Sequence, residues 1–330
     1  MSIRLAIVMD PLAGINFEKD TSLALLLAAQ RRGWHLFYME QGDLFQEKGC
    51  AMGDMAPLQV RPDSGDWFSL GPREARKLAD MDTILMRKDP PVDREFLYST
   101  YILEQAEREG VLVVNRAASL RDCNEKHFAT LFPECSPPSL ISRNMNRLRD
   151  FLHKENDVVY KPLDGMGGAS VFRVRKGDPN LGVILETLTN HGQRQIIAQV
   201  FIPDITRGDK RILLVDGEPS PWALARVPQK GEHRGNLAAG ALGVSQPLSE
   251  RDLWISRQVG PVVREKGLLF VGLDVIGDWL TEVNVTSPTG LRQLEQERDD
   301  DSAERLMDVI AAQLKRPRRH REAGAERKIP

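Results

Sequence analysis

Two stretches of this chain carry residues that could do chemistry. The first is KPLDGMGGAS, Lys161 to Ser170, where a lysine ends an apolar run and Gly165, Gly167 and Gly168 follow closely. Glycine loses more conformational freedom on ordering than any other residue, so such a loop implies unusual backbone angles or a second molecule close to the main chain. Bare backbone N–H groups converge readily on phosphate. The P-loop order G-x-x-x-x-G-K-[ST] is absent, because here the lysine precedes the glycines. That order suits a hairpin folding over phosphates, and it equally suits a tight turn with no ligand. Lys161 then either points at an anion or snorkels to solvent.

The second stretch is GLDVIGDWLTEVNVTSP, with Asp274, Glu282 and Asn284. Alternate strand residues share a face, so Glu282 and Asn284 project together. Asp274 joins them only if the hairpin connection near Asp278 has an odd number of residues or contains a bulge. Oxygen donors on one face suit magnesium, which takes one or two carboxylates and completes its shell with phosphate and water. Manganese accepts the same ligands. The polar, solvent-facing side of an amphipathic hairpin has the same composition. Arg87 before DPP, Arg211 in GDKRILLVDG, Arg226 in ALARVP and Arg234 in a glycine-rich stretch stand beside strand ends and glycine loops. Arginine forks grip carboxylate and phosphate, so their recurrence points to an anionic substrate. The histidines show no H-E-x-x-H spacing, G-x-S-x-G is absent, and the cysteines have no neighbouring nucleophile pattern. Zinc and serine- or cysteine-hydrolase readings are therefore disfavoured.

The elements that must position these residues fall into two patterns. RLAIVMD predicts a buried strand ending at Asp10, and KDTSLALLLAAQRRG a helix capped near Asp20 and stopped by Gly33. HLFYME, MDTILMRKDPP and VLVVN read as further strands, with the helix REFLYSTYILEQAEREG before the last. Strands alternating with helices imply an open parallel α/β sheet over residues 1–124. The turn after the first strand lacks G-x-G-x-x-G, which disfavours a dinucleotide oxidoreductase.

From about Ser119 the pattern changes. SLRDCNEKHFATLF, with Lys126, predicts one helix; PPSLISR a strand; MNRLRDFLHKEND a helix. VVYKP and SVFRVRK flank the glycine loop as an antiparallel hairpin. VILETLTNHG reads as a helix, and RQIIAQVFIPDI, KRILLVDG and PSPWALARVP as strands separated by turns. Pro228 to Pro247 is a long glycine-rich loop, of a length that is usually either a functional lid or disordered. A helix, SERDLWISRQVGPVVREKG, then the hairpin LLFVGLDVIGDWLTEVNV and one last helix complete the fold. The tail from Lys315, KRPRRHREAGAERKIP, is expected to be a solvated, disordered end without the interleaved aromatics of a nucleic-acid site.

The chain has 330 residues, enough for two or more domains, with 41% apolar and 28% charged residues, as in soluble globular proteins. Its 45 basic and 47 acidic residues leave a formal charge of -2, so no global field attracts a polyanion and nucleic acid is not an expected partner. Leu23–Ala29 is too short an apolar run to cross a membrane. Three cysteines, odd in number and widely spaced, argue against a disulfide framework and fit a reducing cytoplasm.

These pieces in this order resemble the ATP-grasp superfamily, and within it the bacterial glutathione synthetases. The resemblance is carried by VMDP at Asp10, MRKDPP from Met86, SLRDCNEK to Lys126, KPLDGMGGAS, GDKR to Arg211, RGNLAAG from Arg234 and TEVNVTSPTG from Thr281, and spans roughly residues 1–314. It implies an N-terminal α/β domain followed by an ATP-grasp fold of two α+β subdomains, about 125–198 and 199–314. It also implies a homotetramer that joins γ-glutamylcysteine to glycine at the expense of ATP, with two magnesium or manganese ions.

By position, Lys126 and Lys161 are expected on the ATP phosphates under the loop Gly165, Gly167 and Gly168. Gln199, Val200 and Ile202 are expected on adenine, and Asp209 on ribose. Asp274, Glu282 and Asn284 would hold the ions, Arg211, Arg226 and Arg234 would serve catalysis, and Asp10 and Arg87 would seat the dipeptide. Two other readings stay open: a ligase for a different carboxylate and amine, and an ATP-binding regulatory protein without turnover.

Overall fold

The computed structural model describes residues 2–165, 167–227 and 242–315. The chain opens with β1 (Arg4–Val8), apolar and buried from Leu5 onward. Next is α1 (Thr21–Arg31), whose N-cap Asp20 accepts a hydrogen bond from the Leu23 N–H. After β2 (His35–Met39) come β3 (Leu44–Glu47), β4 (Cys50–Val60), β5 (Phe68–Leu70) and β6 (Glu74–Lys77). Then follow β7 (Thr83–Met86), α2 (Arg94–Arg108) and β8 (Leu112–Val114). The sheet order is β3-β4-β2-β1-β7-β8, with β5 and β6 also on β4.

β1 pairs parallel with β2 and β7, and β7 with β8, as the alternation of strands and helices implies. Residues 44–77 add an antiparallel extension that the pattern does not announce: β4 runs against β2, and β3, β5 and β6 run against β4. From β1 the chain goes to β2 on one side and later to β7 on the other. The carboxyl ends of β1 and β7 therefore flank a topological switch point, the usual ligand crevice of an open α/β sheet. Asp10 and Arg87 follow those two strand ends.

The single helix expected over SLRDCNEKHFATLF is two, α3 (Ala117–Asp122) and α4 (Glu125–Ala129). The Asn124 side chain accepts from the His127 N–H and starts a new helix where the first one ends. A small sheet follows, made of β9 (Ser139–Ser142), β10 (Asp157–Pro162), β11 (Phe172–Arg175) and β12 (Ile196–Val200). Helices α5 (Met145–Glu155) and α6 (Leu181–Thr189) lie between its strands in the chain. Its order is β11-β10-β12-β9, antiparallel throughout. It has its own apolar core, centred on Leu148, Tyr160, Leu185 and Ile196.

The third sheet has the order β15-β14-β13-β16-β17. Its strands are β13 (Asp209–Val215), β14 (Glu218–Val227), β15 (Leu242–Pro247), β16 (Phe270–Ile276) and β17 (Trp279–Asn284), with α7 (Glu250–Glu265) before β16. Residues 242–247, expected within the glycine-rich loop, pair with β14 as an edge strand. The β13–β14 turn meets α7 backbone to backbone. A Cβ on Gly260 would lie 2.2 Å from the Gly217 carbonyl oxygen, so only glycine allows that approach. Two closing helices replace the expected one: α8 (Leu291–Arg298) and α9 (Ser302–Lys315).

The N-terminal and third sheets share buried apolar clusters. One of them contains Val8, Met39 and Ile84 together with Leu273 and Val283. Helix α9 returns to pack on α1 in another, reinforced by Arg31 and Arg32 pairing with Glu304 at 2.7 and 2.8 Å. Asn115 stitches the two sheets: its Nδ2 donates to Phe270 O (2.8 Å) and Val285 O (2.6 Å), and its Oδ1 accepts from Phe270 N (2.9 Å). Among the described residues no helix is long and apolar enough to cross a membrane.

Candidate active site

The glycine loop is a hairpin connection. Tyr160 pairs with Phe172 and Asp157 with Arg175, so the loop leaves β10 at Pro162 and re-enters at β11. Gly167 and Gly168 take left-handed angles, φ 64° and 77°, which a residue with a Cβ adopts only at a cost. Lys161 lies at the strand end, 7% exposed.

Facing it, Asp274 of β16 pairs directly with Glu282 of β17, and Gly272 with Asn284, with a bulge between Asp274 and Val275. The bulge is the feature that puts all three oxygen donors on one face. Thr281 is the extra residue, and its hydroxyl donates to Asp274 O at 3.1 Å. The two sheets meet over Glu282. Its Oε1 stands 3.5 Å from Lys161 Nζ and 3.7 Å from Lys126 Nζ, while Lys126 also donates to Gly165 O at 2.6 Å.

Between the sheets lies a cleft of about 520 Å³. Lys126, Lys161, Gly165, Gly167 and Gly168 line it from the loop side, and Asp209, Asp274 and Glu282 from the floor. Gln199, Val200 and Ile202 line it beside the apolar side chains Phe201, Ile205 and Ile276. One region is thus apolar, at a strand end suited to a flat base, and another is charged, under main chain suited to phosphate.

The floor is electrostatically braced. Arg211 donates from Nε to Asp274 Oδ1 (2.6 Å) and from Nη2 to Oδ2 (3.3 Å). Arg226 Nη2 reaches Asp274 Oδ2 at 2.9 Å and Asp209 Oδ2 at 2.6 Å. Burial alone would raise the Asp274 pKa, but these two guanidinium groups hold it well below the usual carboxylate range. Burial pushes Asp209 up to about 7 against the pull of Arg226. Burial also lowers Lys161, with Glu282 acting in the opposite sense. Lys126, Lys161, Arg211 and Arg226 together outnumber Asp209, Asp274 and Glu282, so the site favours an anion.

Among the described residues no group of three or more His, Cys, Asp or Glu is placed to hold a metal ion by itself. The donor set is two acids and an amide, the sparse protein contribution magnesium takes when phosphate and water fill its shell. Asn284 Nδ2 donates to Gly272 O at 3.2 Å, which leaves its Oδ1 as the acceptor for a cation.

Not every candidate lies at the cleft. Arg211 and Arg226 are buried behind Asp274 and reach the cleft through it. Arg87, 5% exposed, donates from Nε to Ser22 Oγ (3.1 Å) and from Nη2 to Pro288 O (2.9 Å). Its burial lowers its pKa to about 10. Asp10 pairs with Lys88 at 2.7 Å and accepts from Asp89 N at 3.0 Å. Both lie at the switch-point crevice, and Pro288 connects that crevice to the segment leaving β17. Arg234, and residues 228–241 of the loop expected as a lid from Pro228 to Pro247, lie outside the described residues, as does the tail from residue 316.

Sequence reasoning missed Glu125, whose carboxylate accepts from Val285 N and Thr286 N at 3.1 and 3.2 Å. It also missed Arg173, which stacks 3.4 Å from the Phe201 ring and pairs with Asp157 at 2.6 Å. The one available signal for Glu125 was its place next to Lys126.

Comparison with known proteins agrees with this geometry. Residues 3–121 match the model of the prokaryotic glutathione synthetase N-terminal domain, and residues 125–299 that of its ATP-grasp domain. Glutathione synthetase from Pseudomonas aeruginosa is 64% identical over 314 residues, covering 95% of this chain and 99% of the relative. That from Escherichia coli O157:H7 is 57% identical over 312 residues, covering 94% and 99%. Among solved structures, D-cycloserine synthetase DcsG superposes with a TM-score of 0.67 at 16% identity, covering 94% of this chain and all of that one. ATP-grasp ligase PsnB, complexed with a precursor peptide and AMPPNP, gives 0.59 at 18% identity, covering 95% and 98%. These two likenesses show the fold.

A hairpin of bare amides closing over a sheet that presents paired acids, behind an open α/β domain, defines an ATP-dependent ligase of the ATP-grasp class. More narrowly, the chain belongs to the prokaryotic glutathione synthetase family.

Proposed function

We propose that the chain joins the cysteinyl carboxylate of γ-glutamylcysteine to the amine of glycine, converting ATP to ADP and phosphate. The observation that carries this reading is the meeting of Lys126, Lys161 and the glycine loop with Asp274 and Glu282 around one cleft, in a chain of this family. A carboxylate does not react with an amine at neutral pH, because its oxygen is a poor leaving group. Transfer of the γ-phosphoryl group gives an acyl phosphate, whose leaving group is phosphate, and glycine then attacks its carbonyl.

Lys126 and Lys161 offset phosphate charge, and the amides of Gly165, Gly167 and Gly168 cover it from water, which would destroy the acyl phosphate. Adenine lies against Gln199, Val200 and Ile202, with Asp209 toward the ribose. Asp274, Glu282 and Asn284 would hold magnesium or manganese, which when bound would offset phosphate charge and so reduce repulsion during phosphoryl transfer. Arg211 and Arg226 fix Asp274 and supply positive potential where the acyl phosphate forms. Asp10 and Arg87 bound the crevice that takes the dipeptide, and Arg234 would serve catalysis. A cytoplasmic homotetramer completes this reading on family membership alone.

Phosphate release from ATP, measured with γ-glutamylcysteine, with glycine and with both, tests it. Sustained release that needs both substrates is expected. Release that is indifferent to the dipeptide, or that demands another amine, would overturn it.

A further inference from the structure

The short helix α4 sits between the two halves of the cleft and is bonded to each. Toward the loop, Asn124 Nδ2 donates to Leu163 O at 3.1 Å and Lys126 Nζ to Gly165 O at 2.6 Å. Toward the floor, a single oxygen of Glu125 accepts the N–H groups of both Val285 and Thr286, at 3.1 and 3.2 Å. A few residues past the helix, the Cys135 carbonyl accepts the Leu280 N–H at 2.8 Å.

β17 needs such bracing. It is the outermost strand of its sheet, and its pairing with β16 ends at Asn284. The next two residues, Val285 and Thr286, are 0% and 2% exposed, so solvent is a poor alternative acceptor for their N–H groups, and leaving them unmatched is costly. Asn115 holds the Val285 carbonyl from one side; Glu125 holds both N–H groups from the other. Glu125 does not itself line the cleft.

We propose that Glu125 is a positioning residue: by holding the first two N–H groups beyond β17, it sets the placement of Glu282 and Asn284 as cation ligands. This rests on the ligase reading above, and removal of comparable outer partners of metal ligands weakens metal binding 10- to 100-fold. The role depends on an acceptor oxygen at that point rather than on charge. Glu125→Gln keeps the oxygen, and its amide nitrogen faces the Thr286 hydroxyl, which already hydrogen-bonds this carboxyl group.

Two measurements decide it: hydrogen exchange at Val285 and Thr286 in the ligand-free protein, and Mn2+ affinity by EPR in the presence of AMPPNP. Glu125→Ala is expected to speed exchange at both amides about 10-fold or more and to weaken Mn2+ binding about 10- to 100-fold. Glu125→Gln is expected to keep both near wild type. Glu125→Asp, which retracts the carboxylate by one methylene, should behave like the alanine variant and serves if that variant does not fold. Unchanged exchange or unchanged Mn2+ affinity in the folded alanine or aspartate variant would overturn the proposal. So would equal weakening in the glutamine variant, which would make charge the cause. If the wild-type protein binds no Mn2+ with AMPPNP, the underlying metal assignment fails and this role goes with it.

Discussion

The two sheets that face each other across the cleft are built in opposite ways. In the sheet of β13 to β17 the charged floor is tied down: Asp274 to Arg211 and Arg226, and Arg226 again to Asp209. Strands β13 and β16, which carry Asp209, Arg211 and Asp274, are paired on both edges. In the sheet of β9 to β12 the working part is main chain standing off a hairpin end. Gly167, Gly168 and Ser170 there have left-handed angles, and nothing lies within 4 Å of where a Gly167 Cβ would be. Groups that must hold charge at a set distance need dense, ordered neighbours. A cover that admits and releases nucleotide needs few.

Substitutions should therefore separate by sheet. The largest effect is expected for Asp274→Asn, which takes the carboxylate from the buried Arg211 guanidinium and leaves Arg226 with Asp209 alone. We expect a loss of about 3–5 kcal/mol in urea unfolding and turnover near background. Glu282→Gln removes a less buried charge, and of its two lysine neighbours Lys126 keeps its bond to Gly165 O. Folding should be intact and the initial rate of ADP formation reduced on the order of 10²-fold, the equivalent of about 3 kcal/mol in the transition state. Near-normal turnover at saturating magnesium would remove Glu282 from the metal set. Gly272→Ala tests the packing of the floor: the new Cβ would fall 2.8 Å from Arg211 Cδ and 3.0 Å from Pro288 Cβ. Overpacking of this kind costs about 1–3 kcal/mol, read as a lower urea midpoint with reduced kcat. Gly167→Ala meets open space and suffers only the left-handed backbone, about 1 kcal/mol. Its expected signature is a several-fold higher KM for ATP with an unfolding midpoint lowered less than in Gly272→Ala. A Gly167→Ala variant as unstable as Gly272→Ala would erase the contrast between cover and floor.

Much of this was legible before the structure. The parallel strands at β1, β2, β7 and β8 show as continuous apolar runs, and the period-2 pattern in TEVN put Glu282 and Asn284 on one face. Whether Asp274 joined them depended on a bulge, which is a pairing property of two strands and leaves no mark in either alone. The strands β5 and β6 were invisible for a related reason. Short and without a fully buried residue, they exist because β4 offers them an edge. The break between α3 and α4 turned on one cap, Asn124. Glu125 was unreadable as a brace because its partners are backbone amides about 160 residues away. That Arg211 and Arg226, expected to serve catalysis, lie behind Asp274 was not legible, because sequence shows charge but not depth.

The central claim is that one nucleotide lies between the two sheets. Amide hydrogen exchange with and without magnesium and AMPPNP tests it most directly. The account predicts strong new protection of residues 165–173 and 199–205 together, with residues 44–77 of the N-terminal extension unchanged. Protection confined to one of the two sheets, or appearing in residues 44–77 instead, would contradict it.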